Sequence, residues 1–133
     1  MYYKGVYHFF YQHNQKMVWA HSVSYDLINW IHLNHAIEPS DSYDITSCWS
    51  GSATTILPDR EEQPIILYTG MDDKKHQFQN IAMPKDLSDP LLREWVKHPQ
   101  NPVMTPPSEV QVNYFKDPST AWQGKDGKWR VVI

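Results

Sequence analysis

From residue 5 to 12 the chain reads Gly-Val-Tyr-His-Phe-Phe-Tyr-Gln, a nearly continuous aromatic run that predicts a strand covered on both faces. Residues 17–23 and 28–33 repeat the style, the second opening after the turn-forming Ser24-Tyr25-Asp26. Residues 50–57, 64–68 and 77–82 predict three more strands. No window of about eleven or more residues keeps a 3.6-residue period, so the pattern predicts an all-β chain.

The pattern also repeats. Asp26-Leu27-Ile28-Asn29-Trp30 precedes Ala36-Ile37-Glu38-Pro39, and about 65 positions on Asp86-Leu87 leads to Trp95 and then Asn101-Pro102-Val103. In register with this, residues 5–11 match 63–69, and 127–133 look like a third copy beginning. Units of several antiparallel strands joined by turns are how propeller blades look in sequence. The expected fold is therefore a partial β-propeller of about two blades and the start of a third. The blades are placed at about 5–35, about 50–98 and about 116–133. Repeats bury their faces against neighbours, and Arg130-Val131-Val132-Ile133 falls inside an apolar strand, so the chain reads as a piece of something larger. Uncovered blade faces predict aggregation or a molten state for the chain alone.

Composition narrows the function. With 41% hydrophobic, 14% aromatic and 20% charged residues, the 133-residue chain has a folding rather than a disordered composition. A formal charge of −3 gives no electrostatic reason to expect nucleic acid or an anionic membrane as partner. Apolar runs stop far short of the roughly 20 residues a bilayer span needs. Met1-Tyr2-Tyr3-Lys4-Gly5 lacks the organisation of a secretory signal, so none is expected as written. The single cysteine, Cys48, excludes an internal disulfide and is expected to be buried and inert. Seven histidines are scattered without a ligand spacing, so neither a metal nor any other cofactor is expected. Asp59-Arg60-Glu61-Glu62 and Asp72-Asp73-Lys74-Lys75 read as solvated hairpin tips.

Two segments carry candidate chemistry. In Ser47-Cys48-Trp49-Ser50-Gly51-Ser52, Trp49 can offer its face to a sugar ring while Ser50 supplies a directional hydrogen bond. The competing reading, favoured by composition, makes Trp49 a core aromatic at a blade interface. Gly51 signals a close backbone approach. In Phe115-Lys116-Asp117-Pro118, the proline biases Asp117 to extended geometry that can aim a carboxylate, with Lys116 favouring its ionised form. Asp-Pro is equally an ordinary turn dipeptide. Gln12 closes its strand as either a substrate partner or a polar end.

These segments, with Tyr7-His8-Phe9-Phe10-Tyr11-Gln12, Trp19-Ala20-His21-Ser22-Val23-Ser24, Tyr68-Thr69-Gly70, Ala82-Met83-Pro84-Lys85-Asp86-Leu87 and Leu92-Arg93-Glu94-Trp95, run in order along the chain. Together they closely resemble the plant acid invertases and fructan exohydrolases of glycoside hydrolase family 32. The resemblance implies a five-bladed propeller followed by a β-sandwich, the latter absent here, and release of terminal fructose from sucrose or fructan with retention. It implies an extracellular, cell-wall or vacuolar parent enzyme.

It also implies three acidic groups, of which only the transition-state stabiliser has a counterpart, Asp117. The nucleophile of an Asn-Asp-Pro-Asn-Gly motif would lie just before Met1, and the acid/base of a Glu-Cys motif beyond Ile133. Family substrate contacts fall on Gln12, Trp49, Ser50 and Lys116. Lys116 stands where the family has arginine and lacks its planar fork. Residues 13–18 replace a longer loop that normally adds a pocket aromatic. The expectation is thus a fragment of a retaining β-fructofuranosidase, inactive as this chain. The alternative is a non-catalytic sugar-binding or regulatory remnant associating with an intact homologue.

Overall fold

A computed structural model describes residues 1–15, 17–57 and 61–133; Asp59 and Arg60 of the first charged tip lie outside the described residues. Every strand pairing among them is antiparallel, and no helix forms. Strands β1 (Tyr2–Tyr3), β2 (Val6–His13), β3 (Val18–Ser24) and β4 (Ile31–His32) make one four-stranded meander. Strands β5 (Ser47–Ile56), β6 (Gln63–Met71), β7 (Gln77–Pro84) and β8 (Trp95–Lys97) make a second. A two-stranded ribbon, β9 (Trp122–Gln123) and β10 (Trp129–Arg130), follows. The repeat seen in the sequence is a repeat of position. β2, β6 and β10 are each the second strand of a sheet, and Trp30 and Trp95 stand at the fourth strands β4 and β8. This is the all-β, partial-propeller architecture expected.

The strands form where side chains can be buried. Residues 64–70 of β6 are buried throughout, as a central strand with both faces covered requires, and β3 is buried along its whole length. β2 corrects the expectation of two covered faces: Val6 and His8 are buried while Phe9 is 53% exposed. Only its inner face meets the second sheet. Phe9 stacks instead on its surface neighbours Tyr11 and Trp30.

A second correction concerns residues 28–33, of which only Ile31–His32 joins a sheet. The Ser24 hydroxyl accepts the N–H groups of Asp26 and Leu27, and Asp26 Oδ1 accepts those of Ile28 and Asn29. These local bonds hold the backbone in a turn, with Leu27 at φ 65°, and take the donors a longer strand needs. Likewise only Trp129–Arg130 of the third copy pairs as a strand, after a turn at Gly127 with φ 77°. The tip at residues 72–75 does connect β6 to β7, with Asp72 Oδ1 accepting the N–H groups of Lys74 and His76.

The core lies between the two meanders and contains Trp19, Ile37, Cys48, Ile66, Tyr68 and Ala82, with Phe10 and Trp95 against it. Inside the first sheet, His8 Nδ1 and His21 Nε2 share a buried hydrogen bond of 3.0 Å. Burial pushes the His8 imidazole down to about 4, and burial together with the charge of His8 pushes His21 down to about 3. A histidine with a depressed folded pKa contributes its stability above the unfolded value of about 6.5 and loses it as pH falls toward the folded value. The unfolding free energy of the folded protein, read from urea titrations, is therefore expected to fall between about pH 6.5 and 4, by about 2 kcal/mol or more. A free energy flat across that window contradicts the neutral pair.

Candidate active-site wall

Three strands of the second sheet place Trp49, Thr69 and Gln79 in one row, Trp49 opposite Thr69 and Thr69 opposite Gln79. The β5–β6 register shifts between Trp49 and Gly51, so Ser50 is the extra residue of a bulge and is exposed. Gly51 has the close approach the sequence suggested: a Cβ there would collide with the Leu67 carbonyl oxygen. The first sheet grips this turn of β5. Gln12 Nε2 donates to the Cys48 carbonyl at 3.3 Å, and Trp19 Nε1 to the Trp49 carbonyl at 3.0 Å. Between the sheets opens a cleft of about 180 Å³ lined by Phe10, Tyr11, Gln12, Trp19, Ser50 and Gly51.

Lys116 and Asp117 come to the same row from far along the chain. The Lys116 ammonium lies 5.9 Å from the centre of the Trp49 ring, a cation–π geometry. Trp49 is half-buried rather than a core aromatic, which corrects the reading that composition favours. The Asp117 N–H donates to Thr69 Oγ1 at 2.9 Å, and the Phe115 carbonyl accepts from Gln79 Nε2 at 2.6 Å.

Asp117 itself has φ 61°, left-handed rather than the extended geometry expected before a proline. Bonds on either side of Lys116, with Phe115 and Pro118 buried, override the local bias, and aspartate is among the few residues that tolerate this region. Its side chain is exposed. The five residues singled out in the sequence thus gather on one side of the two-sheet unit: Gln12 and Ser50 on the cleft, Trp49 beside it, and Lys116 with Asp117 above the Trp49–Thr69 pair.

Three participants were missed. Thr69 and Gln79 are fully buried polar residues inside strands, and their signal was polar side chains interrupting apolar or alternating runs. The third, Asp44, is also fully buried. Its Oδ1 accepts the N–H groups of Ser40 and Asp41, and its Oδ2 accepts the Tyr68 hydroxyl at 2.7 Å and meets the Lys97 ammonium at 2.6 Å. This carboxylate anchors the segment that enters β5 and so places Trp49. Burial alone would lower the Lys97 pKa, and the bonds to Asp44 and Asp41 more than reverse it. Burial, reinforced by the Asp44 charge, pushes both the Tyr68 phenol and the Cys48 thiol well up, so Cys48 is an unreactive thiol.

Among the described residues, no three His, Cys, Asp or Glu side chains gather as a metal site. What the wall offers is an aromatic face, a cation resting on it, hydrogen-bonding groups at Gln12 and Ser50, and one exposed carboxylate. Such a set can hold a polyol against an aromatic platform and stabilise positive charge beside it.

The model of the glycosyl hydrolases family 32 N-terminal domain matches residues 1–133. An insoluble β-fructofuranosidase isoenzyme of Arabidopsis thaliana, CWINV6, is 59% identical over all of this chain and 25% of its own length. The cell wall isozyme of β-fructofuranosidase from Pisum sativum is 58% identical, again over the whole chain and 25% of its own length. The crystal structure of fructan 1-exohydrolase IIa from Cichorium intybus superposes with a TM-score of 0.90 at 58% identity, covering 98% of this chain and 25% of that one. A variant of that enzyme, in complex with 1-kestose, superposes with a TM-score of 0.89. The chain spans about a quarter of the length of the curated relatives it matches. By that match along every residue, and by a sheet order its own sequence repeat foretold, the chain belongs to glycosyl hydrolase family 32, within the family's N-terminal domain.

Proposed function

We propose that this chain forms one wall of the active site of a retaining β-fructofuranosidase that releases terminal fructose from sucrose or fructan at the plant cell wall. Asp117 is its transition-state carboxylate. The observation that carries the reading is the pinning of Lys116 and Asp117 against the Trp49–Thr69 pair by hydrogen bonds with the buried Thr69 and Gln79, which brings the candidate sugar contacts and the one candidate carboxylate to the same row.

The chemistry follows from charge. Departure of the leaving group gives the fructosyl ring oxocarbenium character, and a fixed carboxylate stabilises positive charge that the neutral substrate does not carry. Trp49 supplies an apolar platform, while Gln12 and Ser50 supply directional bonds. Lys116 contributes a point charge resting on Trp49, without the planar two-point grip an arginine gives to sugar hydroxyls. Retaining hydrolysis further needs a nucleophile and an acid/base about 5 Å apart. In this reading Asp117 takes neither role, and those two carboxyl groups come from outside the 133 residues.

Grafting tests the assignment. Residues 1–133 replace the matching quarter of the chicory fructan 1-exohydrolase IIa, and the chimera is assayed with 1-kestose and sucrose. Fructose release above a mock-purified blank supports the assignment, and a folded but silent chimera contradicts it. The cleft between the sheets favours one further reading, a sugar-binding remnant, because it sets the polar groups of Gln12 and Ser50 beside the aromatic rings of Phe10, Tyr11 and Trp19. Saturable heat when fructose or 1-kestose is titrated into the chain alone, with a silent chimera, would favour that reading.

A further inference from the structure

We propose that Thr69 and Gln79 form a positioning relay that sets the backbone of Lys116 and Asp117, so that two side chains out of reach of the sugar control how well the Asp117 carboxylate acts. The inference rests on the reading of Asp117 given above. Both residues are fully buried, and each spends its polar groups on the same short segment. Thr69 Oγ1 accepts the Asp117 N–H at 2.9 Å and bonds Gln79 Oε1 at 3.2 Å. Gln79 Nε2 in turn donates to the Phe115 carbonyl at 2.6 Å.

The direction of these bonds is fixed by what each atom can do. The Asp117 amide can only donate, so the threonine oxygen accepts it and its hydroxyl proton is left for Gln79 Oε1. The Phe115 carbonyl can only accept, so it takes the amide NH₂. Flipping the Gln79 amide would set oxygen against oxygen at Phe115, so one orientation closes the chain of bonds.

The relay brackets Lys116, holding the carbonyl before it and the amide after it. Gln79 is itself immobilised, its backbone N–H donating to Met104 O at 3.0 Å and its carbonyl accepting from Val103 at 2.9 Å. With the peptide before Asp117 held by these bonds and the fully buried Pro118 fixing the chain after it, Asp117 is kept at φ 61°, against the extended preference of a residue before proline. Without these bonds, the segment is free to return toward extended geometry and swing the carboxylate away. Displacements of about 1 Å at a catalytic group cost up to about 100-fold in rate.

The test uses the chimera, with Thr69→Val, Thr69→Ser, Gln79→Met and Asp117→Asn, and the double variant Thr69→Val with Asp117→Asn. Thr69→Val and Gln79→Met are each expected to lower kcat/KM by about tenfold or more, with Thr69→Ser within about threefold of the parent because it keeps the hydroxyl. In the Asp117→Asn background, Thr69→Val is expected to cost less than about twofold, because a group acting through Asp117 has little left to act on. A purely structural residue would cost the same factor in both backgrounds, and that result overturns the inference. So does an unchanged kcat/KM for Thr69→Val and Gln79→Met while Asp117→Asn is crippled. A harmless Asp117→Asn, or a chimera with no activity, instead marks failure of the underlying reading and takes the relay down with it.

Discussion

Replacing Asp117 by asparagine in the chimera is expected to lower kcat by about 10³-fold and to move KM far less. The side chain keeps its size and its capacity for hydrogen bonding, and asparagine tolerates the left-handed backbone found here at φ 61°, so the fold has no reason to respond. What disappears is negative charge. The bound sugar is neutral, so the charge matters little until the glycosidic bond stretches and the ring turns cationic. A loss confined to the transition state lowers kcat and kcat/KM together. Steady-state kinetics with 1-kestose checks this, and a fall of less than about tenfold contradicts the role given to Asp117.

The second large effect is on stability. Asp44→Ala is expected to destabilise the protein by about 3–5 kcal/mol, read from urea unfolding of the chimera. The substitution strands the Tyr68 hydroxyl and two backbone N–H groups, and it removes the nearer of two carboxylate partners of the Lys97 ammonium, whose side chain is only 16% exposed. Asp41, at 3.0 Å from Lys97, retains part of the pairing but is itself 46% exposed, so it screens rather than replaces the lost partner. Adding Lys97→Met to Asp44→Asn should recover part of the loss, because removing both charges leaves less buried charge unpaired. A shift below about 1 kcal/mol for Asp44→Ala would show that the network is incidental.

How much of this was legible in the sequence depends on the reach of the interaction. The order of strands was visible because burial imprints apolar runs on consecutive residues, and the match of residues 5–11 to 63–69 marked the second strand of each meander. The fourth strand is shorter than its apolar run predicts. Ser24 and Asp26 spend their oxygens on neighbouring amides, and an apolar run such as 28–33 does not announce that its donors are already taken.

The candidate site divides the same way. Trp49, Ser50 and Gly51 are local and were named from the residues, and the bulge that exposes Ser50 fits a glycine at a close approach. The conformation of Asp117 departs from the local rule for residues before proline because its N–H is held by Thr69, a partner 48 positions away. The bonds between Asp44 and Tyr68, between Gln79 and Phe115 and between Thr69 and Asp117 span 24 to 48 positions, and nothing near these residues in the sequence names the partner.

On the proposed function, this chain brings one essential carboxylate and its setting, and glycosidic cleavage waits on two others. The most direct test of this is fructose release from 1-kestose by the purified 133-residue chain and by the chimera, assayed side by side at equal molarity. Hydrolysis by the chimera and none above blank by the chain is the expected result. Turnover by the chain at a rate approaching that of the chimera would contradict it.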